Sequence, residues 1–501
     1  MSNGTATVSQ HEIHDKHTTP IAAEAELGWL DRTFRITERR STLAREIRGG
    51  FVTFFAMAYI LVLNPIILSG PDSTGKYLGG GTTPNMVAVA AGTALVAGIL
   101  SILMGAVANF PLALAAGLGL NSIVAYTIVQ LPGMTWADGM GIIVIEGIVI
   151  VLLVLTGLRE AIFRAVPRVL RTAISVGIGM FITLIGLLNA GIVGAGATPL
   201  AFGVNGSISA WPLVVFIVGL GITMALMVRG VKGAILWAIL AGTALSLVVE
   251  AIGKLGVKSA ENAGGWSLTV PALAGSPVQI PDFSTIGQFS VVGPFHKIGV
   301  LAVVVLAFSV MLADFFDTMG TMVAVASEGD LLQADGNPPR TKHILLIDSI
   351  GAIAGGAGGV SSNTSFVESS TGVADGARTG LASIVTGGLF ILATFLAPLF
   401  AMVPSEAAAP ALVAVGFLMM QQVTEIRWND LAIAIPAFMT IVFMPFGYSI
   451  TVGIGVGFIT YVFMQLVTKK AKSVHPLMYL TAALFMIYFA LEPINHLLGV
   501  A

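Results

Sequence analysis

Two acidic residues stand one helical turn apart in a stretch of the chain that is otherwise almost wholly apolar. Asp314 and Asp317 follow about sixteen nearly all-apolar residues that begin at Ile298, and their spacing puts both on one helical face. A carboxylate in the middle of a bilayer costs roughly 2.5–3.5 kcal/mol on insertion scales, so such residues are expected to have a function. The pair could bind a cation or a proton, or accept hydrogen bonds from a substrate. We favour these roles over bracing of a neighbouring helix alone.

A second polar cluster occupies residues 361–376, which read SSNTSFVESSTGVADG. The first five, 361–365, are all residue types that helix N-caps favour, and they predict a half-helix that aims free N–H groups into a cavity. Glu368 is expected about one turn inside this half-helix, where the helix N-terminus stabilises a carboxylate. Glu368 and Ser365 are therefore candidate substrate-binding residues, and a capping role is the alternative for Glu368.

Small residues interrupt a further segment, ALAAGLGLNSIVAYT, around Gly117 and Gly119. Glycine permits a close backbone approach, and the Asn121 side chain offers a donor and an acceptor that suit the amide edge of a heterocycle. Gly119 and Asn121 therefore join the candidate substrate site. Two further acidic residues in apolar segments, Glu146 and Asp348, are expected to be structural.

Several kinds of chemistry lack the residues that they would need. The sequence has no G-x-S-x-G, H-E-x-x-H or dinucleotide-binding motif, so we predict that the protein is not an enzyme. It has no cysteine, and none of its seven histidines falls at the centre of an apolar segment, so we expect no metal site and no cofactor. The net charge of -2 argues against a nucleic-acid partner, which would require a basic surface.

The composition indicates a membrane protein, with lipid as the main solvent. Hydrophobic residues make up 56% of the 501 residues and charged residues 10%, whereas an ordinary soluble domain has about 25% charged residues. A helix that crosses a bilayer needs about 20 mostly apolar residues. The candidates lie on either side of a polar loop at 253–297, and a further apolar stretch, 477–498, is left over. They are 49–69, 86–107, 112–130, 138–157, 168–193, 212–229 and 232–252 before the loop, and 298–326, 342–359, 361–376, 379–400, 407–421, 429–446 and 448–468 after it.

Basic residues orient these predicted helices. Six arginines between Arg32 and Arg48 precede the first helix, and further basic clusters follow the fourth, sixth, eighth and fourteenth helices. Positive residues accumulate on the cytoplasmic side of membrane proteins. We therefore expect a multi-pass protein of the cell membrane whose N-terminal tail, 1–47, is cytoplasmic.

The two sets of seven helices have opposite orientations, because seven is odd. Such inverted repeats are common in secondary transporters, and short segments broken by Gly or Pro at matching positions point to the substrate site. The third and tenth segments are such a pair, interrupted within 111–121 and 355–365. Close helix packing by the glycines is the alternative. We favour the substrate site because both interruptions adjoin polar clusters.

Four motifs resemble those of a known transporter family. They are FVTFFAMAYILVLNP at 51–65, GLGLN at 117–121, DFFDTMGT at 314–321 and TSFVESSTGV at 364–373. On these motifs the chain resembles the purine permeases of the azaguanine-resistance (AzgA-like) branch of the nucleobase:cation symporters, within the nucleobase–ascorbate transporter superfamily. The resemblance covers nearly all of the membrane portion.

The resemblance implies an all-α polytopic fold of seven plus seven inverted helices, in which two broken half-helices pair through short strands at the midplane. It implies that Asp314 and Glu368 are the principal purine-contacting carboxylates, that Asn121 and Gly119 shape the pocket, and that Asp317 supports the site or its coupling. It also implies a homodimer.

The implied division of the chain is a core domain at 48–160 and 298–400, a gate domain at 161–252 and 401–468, an extracellular loop at 253–297 and a C-terminal segment at 469–501.

The expected function is the import of a neutral purine, such as hypoxanthine, guanine or adenine, by cation symport with an elevator-type movement of the core. A proton is the expected coupling ion and Na+ is the alternative; Asp314, Asp317 and Glu368 are the candidates for proton coupling. An anion carrier of the same fold, a pyrimidine or xanthine permease and a non-transporting receptor are the alternative functions. The carboxylates disfavour the anion carrier, and a receptor would leave the buried acids and broken helices unexplained.

Overall fold

A computed structural model describes the chain at residues 28–157, 165–194, 198, 200–203, 207–208, 210–259, 261–272, 276–334 and 337–491. Helices dominate these residues, as the all-α prediction requires. Most of the predicted N-terminal tail and the end of the stretch 477–498 lie outside the described residues.

The first half of the chain contains the first of the two interrupted segments. Short π-helical turns at Met104–Ala108 and Val124–Ile128 continue two of its helices. The helices and strands are α1 (Trp29–Phe34), α2 (Leu43–Met57), α3 (Ile60–Ile67), α4 (Met86–Leu103), β1 (Leu114–Ala116), α5 (Leu118–Ile123), α6 (Trp136–Thr156), α7 (Arg168–Asn189), β2 (Val193–Gly194), β3 (Ala201–Phe202), α8 (Trp211–Val228) and α9 (Ala234–Gly253).

The second half contains the second interrupted segment. Short 3-10 turns lie at Thr394–Leu396, Gln421–Glu425 and Ala471–Ser473. The helices and strand are α10 (Gly293–Glu328), α11 (Thr341–Ala357), β4 (Asn363–Ser365), α12 (Ser369–Ala374), α13 (Gly380–Ala393), α14 (Ala397–Ala401), α15 (Ser405–Met420), α16 (Leu431–Phe446), α17 (Ile450–Val467) and α18 (Pro476–Phe489).

Ten helical stretches among the described residues are long and apolar enough to cross a membrane. They include α2 together with α3, and α4 together with the π-helical turn that follows it. Shorter apolar helices occur at Leu118–Ile128, Leu431–Phe446 and Pro476–Phe489. The chain is therefore a multi-pass membrane protein, and the number of fourteen segments stays a prediction.

The two interrupted segments meet as a pair of antiparallel strands. β1 pairs with β4 so that Leu114 lies opposite Ser365 and Ala116 lies opposite Asn363. The Phe366 N–H donates to the Ala113 carbonyl (3.0 Å), which extends the ladder by one bond. Backbone that leaves a helix inside a membrane needs such partners, because lipid supplies none. The strand pairing that the resemblance implied is confirmed.

The second interrupted segment differs from the prediction in where its helix begins. Residues 363–365 form the strand β4 instead of the first turn of a half-helix, and α12 starts only at Ser369. Glu368 consequently occupies the N-cap position and not a site one turn inside the helix. The cap-type residues 361–365 predict a helix start, whereas residues 363–365 form backbone hydrogen bonds with β1. The Gly117 N–H also donates to the Ser362 carbonyl.

The helix that carries the two aspartates is broken near its start. Gly299 has φ 77° and ψ 163°, a conformation outside the helical region that glycine adopts without a Cβ clash. The break lies next to Ile298, where the sequence predicted the membrane span to begin. The stretch that holds Asp314 and Asp317 is continuous from there to Glu328.

The left-over C-terminal stretch forms a helix that packs on the preceding one. α18 has 14 residues, which at 1.5 Å per residue is about 21 Å, less than the roughly 30 Å of a hydrocarbon core. Its Phe485 ring lies 6.0 Å from the Phe458 ring of α17, centroid to centroid. The described part of this stretch therefore packs against α17 and is too short to cross a bilayer by itself.

Helices α4 and α13 cross at glycines from both sides. A Cβ atom at Gly387 would lie 2.5 Å from the Gly98 carbonyl oxygen, and one at Gly380 would lie 2.1 Å from the Gly105 carbonyl oxygen. Small residues of this kind let membrane helices approach closely enough for backbone contact. The contact fixes α4, which precedes β1, against α13, which follows α12.

Gly387 and Gly388 offer a matched test of this close packing. Gly387→Ala should lower the free energy of unfolding by about 1–3 kcal/mol, the usual range for overpacking. A Cβ at Gly388 would meet no heavy atom within 4 Å, so Gly388→Ala should not destabilise the protein. Thermal melting of both purified variants in detergent measures the difference, and equal melting temperatures would contradict the close approach.

Candidate functional site

Asp317 of α10 and Glu368, at the start of α12, lie close enough to act on each other electrostatically. The Asp317 side chain is exposed and Glu368 is partly exposed. Each nevertheless interacts electrostatically with buried groups, because both act on the fully buried Tyr59 and on each other. The Tyr59 hydroxyl donates a hydrogen bond to the Glu368 Oε1 atom. Two acidic hydrogen-bond acceptors are thus neighbours, and Tyr59 holds Glu368 by a hydrogen bond.

One side of α10 is exposed toward the C-terminal end of the helix. Asp317, Gly320, Ala324 and Ser327 are exposed at spacings of three and four residues, which places them on one helical face. None of the residues 305–316 is exposed. The accessible stripe therefore runs from Asp317 to the C-terminal end of the helix and stops at the site.

Asp314 lies one turn away from Asp317 but in a different environment. Its side chain is fully buried, and the groups that act on it include Glu146 of α6, Asp348 of α11 and Thr364 of β4. Asp317, in contrast, is exposed and acts on Glu368. The spacing of the two aspartates predicts a shared helical face, but it does not show which of the two is buried.

Asp348 fastens the strand β4 to two helices. Its carboxylate accepts hydrogen bonds from the Ser365 N–H (3.1 Å), the Ser365 hydroxyl (2.9 Å) and the Thr318 hydroxyl (2.7 Å). The Thr318 hydroxyl also lies 2.9 Å from that of Thr364. Asp348 thus has the structural role expected of it. Ser365, a candidate substrate contact, is only 2% exposed, and its hydroxyl is held by Asp348.

Asn121 belongs to a buried amide network behind the strands. Its Nδ2 donates to Asn64 Oδ1 (2.6 Å), and Asn64 Nδ2 donates to the Thr93 hydroxyl (2.8 Å) and the Val360 carbonyl (3.2 Å). Asn121, Asn64 and Thr93 are all fully buried. In this conformation Asn121 therefore braces the first interrupted segment against α3 and α4.

Gly119 marks a close contact with α7. A Cβ atom there would lie 2.7 Å from the Ile178 Cγ2 atom. α7 belongs to the predicted gate domain and Gly119 to the predicted core domain, so this glycine lies where the two parts touch. Its lack of a side chain permits this close approach of α5 to α7.

Tyr59 and Asn64 are functional-site residues that the sequence reasoning did not single out. Both lie within the motif at 51–65, and both are polar groups in an otherwise apolar run. Buried polar side chains almost always have a hydrogen-bond partner. That rule would have flagged them, although it could not have named Glu368 and Asn121 as the partners.

A charged cluster links the end of α12 to the loop between α8 and α9. Asp375 accepts a hydrogen bond from Lys232 Nζ (2.7 Å) and forms a second ion pair with Arg48 of α2. Lys232 first and Arg48 second hold the pKa of the Asp375 carboxyl below its ordinary value. The ionised carboxyl therefore persists through neutral pH, and the link is lost only as the pH falls through this lowered pKa.

Comparison with known proteins shows which proteins this chain is similar to. A family model described as Permease family matches residues 44–456. The guanine/hypoxanthine permease PbuG of Bacillus subtilis is 38% identical over 456 residues, 91% of this chain and 98% of that protein. The adenine permease AdeP of Escherichia coli is 36% identical over 474 residues, 94% of this chain and 98% of that protein.

Solved structures show the same fold at low sequence identity. The transmembrane domain of the cyanobacterium bicarbonate transporter BicA superposes with a TM-score of 0.56 at 16% identity, covering 82% of this chain and 97% of that chain. The predicted transporter fold class is confirmed by this likeness, which says nothing about the substrate.

Substitutions of Asp348 should separate its structural role from its charge. Asp348→Ala leaves the Ser365 N–H and two hydroxyls without their acceptor, and each unsatisfied buried group costs about 1–3 kcal/mol. Asp348→Asn keeps a carbonyl oxygen in place and should destabilise the protein less. The expected order of melting temperatures is wild type, Asn, Ala. An alanine variant as stable as wild type would show that β4 does not depend on this residue.

Proposed function

The chain belongs to this permease family and is not an enzyme, and on that premise we propose that it imports purine nucleobases by proton symport. Relatives similar along nearly their whole length are a guanine/hypoxanthine permease and an adenine permease. Hypoxanthine, guanine and adenine are the proposed substrates. A pyrimidine or xanthine is the alternative within the same architecture.

The observation that carries the proposal is that Asp317 and Glu368 act on each other and that Tyr59 donates a hydrogen bond to Glu368. A purine ring presents N–H donors in a plane, and a carboxylate accepts such donors through either oxygen. Ligand sites of this kind are concave, with a small number of placed polar groups. Two acceptors held by the bundle, one of them bonded to Tyr59, suit a flat and neutral ring with several N–H groups.

An anion carrier of the same fold is disfavoured by the same residues. The groups that act on Asp317 besides Glu368 include Asp348, which is also acidic. An anion bound beside these residues would meet carboxylates, and like charges in a low-dielectric environment repel strongly. The likeness to a bicarbonate transporter therefore supports the architecture and not the substrate.

The proposed roles of the candidate residues follow their positions. Glu368 and Asp317 contact the purine, while Tyr59 orients Glu368. Asn121, Gly119 and Ser365 shape the site through the amide network, the contact with α7 and the bond to Asp348. Asp314 is assigned to coupling instead of direct purine contact, because its carboxylate is fully buried.

The proposed movement is an elevator-type displacement of the core domain against the gate domain, with a cytoplasmic N-terminus and a homodimer held by the gate. The ion pair between Lys232 and Asp375 supports this division, because it joins the predicted gate to the predicted core. Such a pair must break and re-form in each cycle if the two parts move. Exposed pairs contribute roughly 0.2–1 kcal/mol, so breaking it is no obstacle.

Replacing Glu368 tests the substrate site. Glu368→Gln keeps the size of the side chain but replaces one acceptor oxygen with a donor, so it should abolish high-affinity uptake of labelled hypoxanthine while membrane expression stays intact. Asp317→Asn should raise KM at least tenfold, which corresponds to one lost charge-assisted hydrogen bond of about 1.4 kcal/mol or more. Initial uptake rates in cells that lack their own purine permeases provide the measurement.

A control variant and a competition panel complete this experiment. Glu328→Gln alters an exposed carboxylate at the end of α10 and should leave uptake at the wild-type rate. Adenine, guanine, hypoxanthine, xanthine and uracil as unlabelled competitors rank the preferred base. Wild-type uptake by Glu368→Gln would refute its role.

Cross-linking tests the proposed movement. The chain has no cysteine, so Lys232→Cys and Asp375→Cys introduce the protein's only thiols. A short bifunctional maleimide that joins them should stop uptake, because the core can then no longer move against the gate. Each single variant treated with the same reagent is the control. Uptake at the wild-type rate after complete cross-linking would rule out relative movement at this position.

A further inference from the structure

Glu146 and Asp314 form a buried pair of acids where α6 packs against α10. Both side chains are fully buried. None of their four carboxyl oxygens has a hydrogen-bond partner of normal geometry in the described part of the chain. The two carboxyls interact with each other, and the Ser362 hydroxyl lies against Glu146. Ser362 is itself fully buried, and its Oγ atom also lacks a partner of normal geometry.

Within the described part of the chain, the charged groups that act on the pair are acidic. Asp348 and Asp317 act on Asp314, in addition to Glu146. Asp348 also acts on Glu146, in addition to Asp314. All of these neighbours are acidic. A buried carboxylate without a compensating partner is strongly disfavoured, and two in contact are more so because like charges repel. At least one of the two must carry a proton, and its O–H then donates to the other carboxyl.

We propose that Glu146 and Asp314 share the proton that the carrier translocates. The inference rests on the proposed function for its substrate. It assigns to Glu146, which the sequence indicated as structural, a direct part in coupling.

The protonation step involves only proton exchange with water. An O–H bond forms on one carboxyl oxygen with a proton that water delivers on the side where the pair is accessible, and that bond breaks when water receives the proton on the other side. Neither carboxyl is exposed in this conformation, so the proton is occluded here. Loss of the proton would leave two buried negative charges in contact, which favours a conformation that lets water reach them.

The link to the purine site runs along α10 and through the strand β4. Asp314 and Asp317 are three residues apart on one helix, so a displacement of this helix moves both. Thr364 lies beside Asp314 and 2.9 Å from the Thr318 hydroxyl, which donates to Asp348. A change of charge at the pair therefore reaches the element that positions the substrate carboxylate.

Proteoliposomes separate coupling from substrate movement. With one proton per purine, an imposed gradient of one pH unit should concentrate labelled hypoxanthine about tenfold in the wild type. Glu146→Gln and Asp314→Asn should each reduce this ratio to about one. Counterflow, which requires no net proton movement, should fall by less than about threefold. Glu406→Gln, which changes another fully buried acid whose carboxylate accepts the Ser267 N–H (2.8 Å), is the matched control and should keep the gradient-driven ratio.

Infrared spectroscopy gives a readout that does not depend on transport. The purified wild-type protein should show the carbonyl band of a buried protonated carboxyl at neutral pH, and Glu146→Gln should remove or shift it. Absence of this band in the wild type overturns the shared proton. Full gradient-driven accumulation by Glu146→Gln, or accumulation driven by a Na+ gradient alone, overturns it as well.

The same experiments distinguish failure of this inference from failure of the proposed function. Wild-type protein that shows the band but no counterflow of any purine would support the shared proton and reject the purine substrate. Equal loss of counterflow and accumulation in a correctly folded Glu146→Gln variant would overturn a role in coupling, because a merely structural residue affects both alike.

Discussion

The backbone of two interrupted helices has to find hydrogen-bond partners where lipid offers none, and this requirement fixes the centre of the molecule. β1 and β4 satisfy one another, and Asp348 accepts the N–H of Ser365. An unsatisfied backbone group in hydrocarbon costs several kcal/mol. The strands therefore cannot separate without loss of much of the stability of the fold. Everything that contacts the proposed purine site is placed relative to this pair of strands.

The same arrangement gives the acidic residues different surroundings and different roles. The Asp348 carboxylate accepts hydrogen bonds from Ser365 of β4 and from Thr318. Asp317 and Glu368 act on each other beside Tyr59, and Glu146 and Asp314 act on each other between α6 and α10. Five carboxyl groups in a membrane core would be unstable if each had to bear a full charge. The hydrogen bonds that Asp348 accepts and the proposed proton shared by Glu146 and Asp314 both reduce this cost.

The sequence relatives and the structural neighbour of this chain constrain its function in different ways. Permeases for guanine, hypoxanthine and adenine match the chain almost from end to end, whereas the structural likeness to a bicarbonate transporter shows that the architecture serves very different cargo. The substrate class therefore depends on the side chains at the site and not on the architecture.

The sequence by itself determined the membrane location, the positions of most helices, the two interrupted segments and the acids of functional interest, because apolar length and the cost of a buried charge are local properties of the chain. Only the tertiary structure decided which aspartate is buried, since a spacing of three residues fixes a shared face but not what that face packs against. It also decided that residues 363–365 form a strand, because their partner β1 lies about 250 residues away. Tyr59 became a partner of Glu368 for the same reason: the contact joins residues that are distant along the chain.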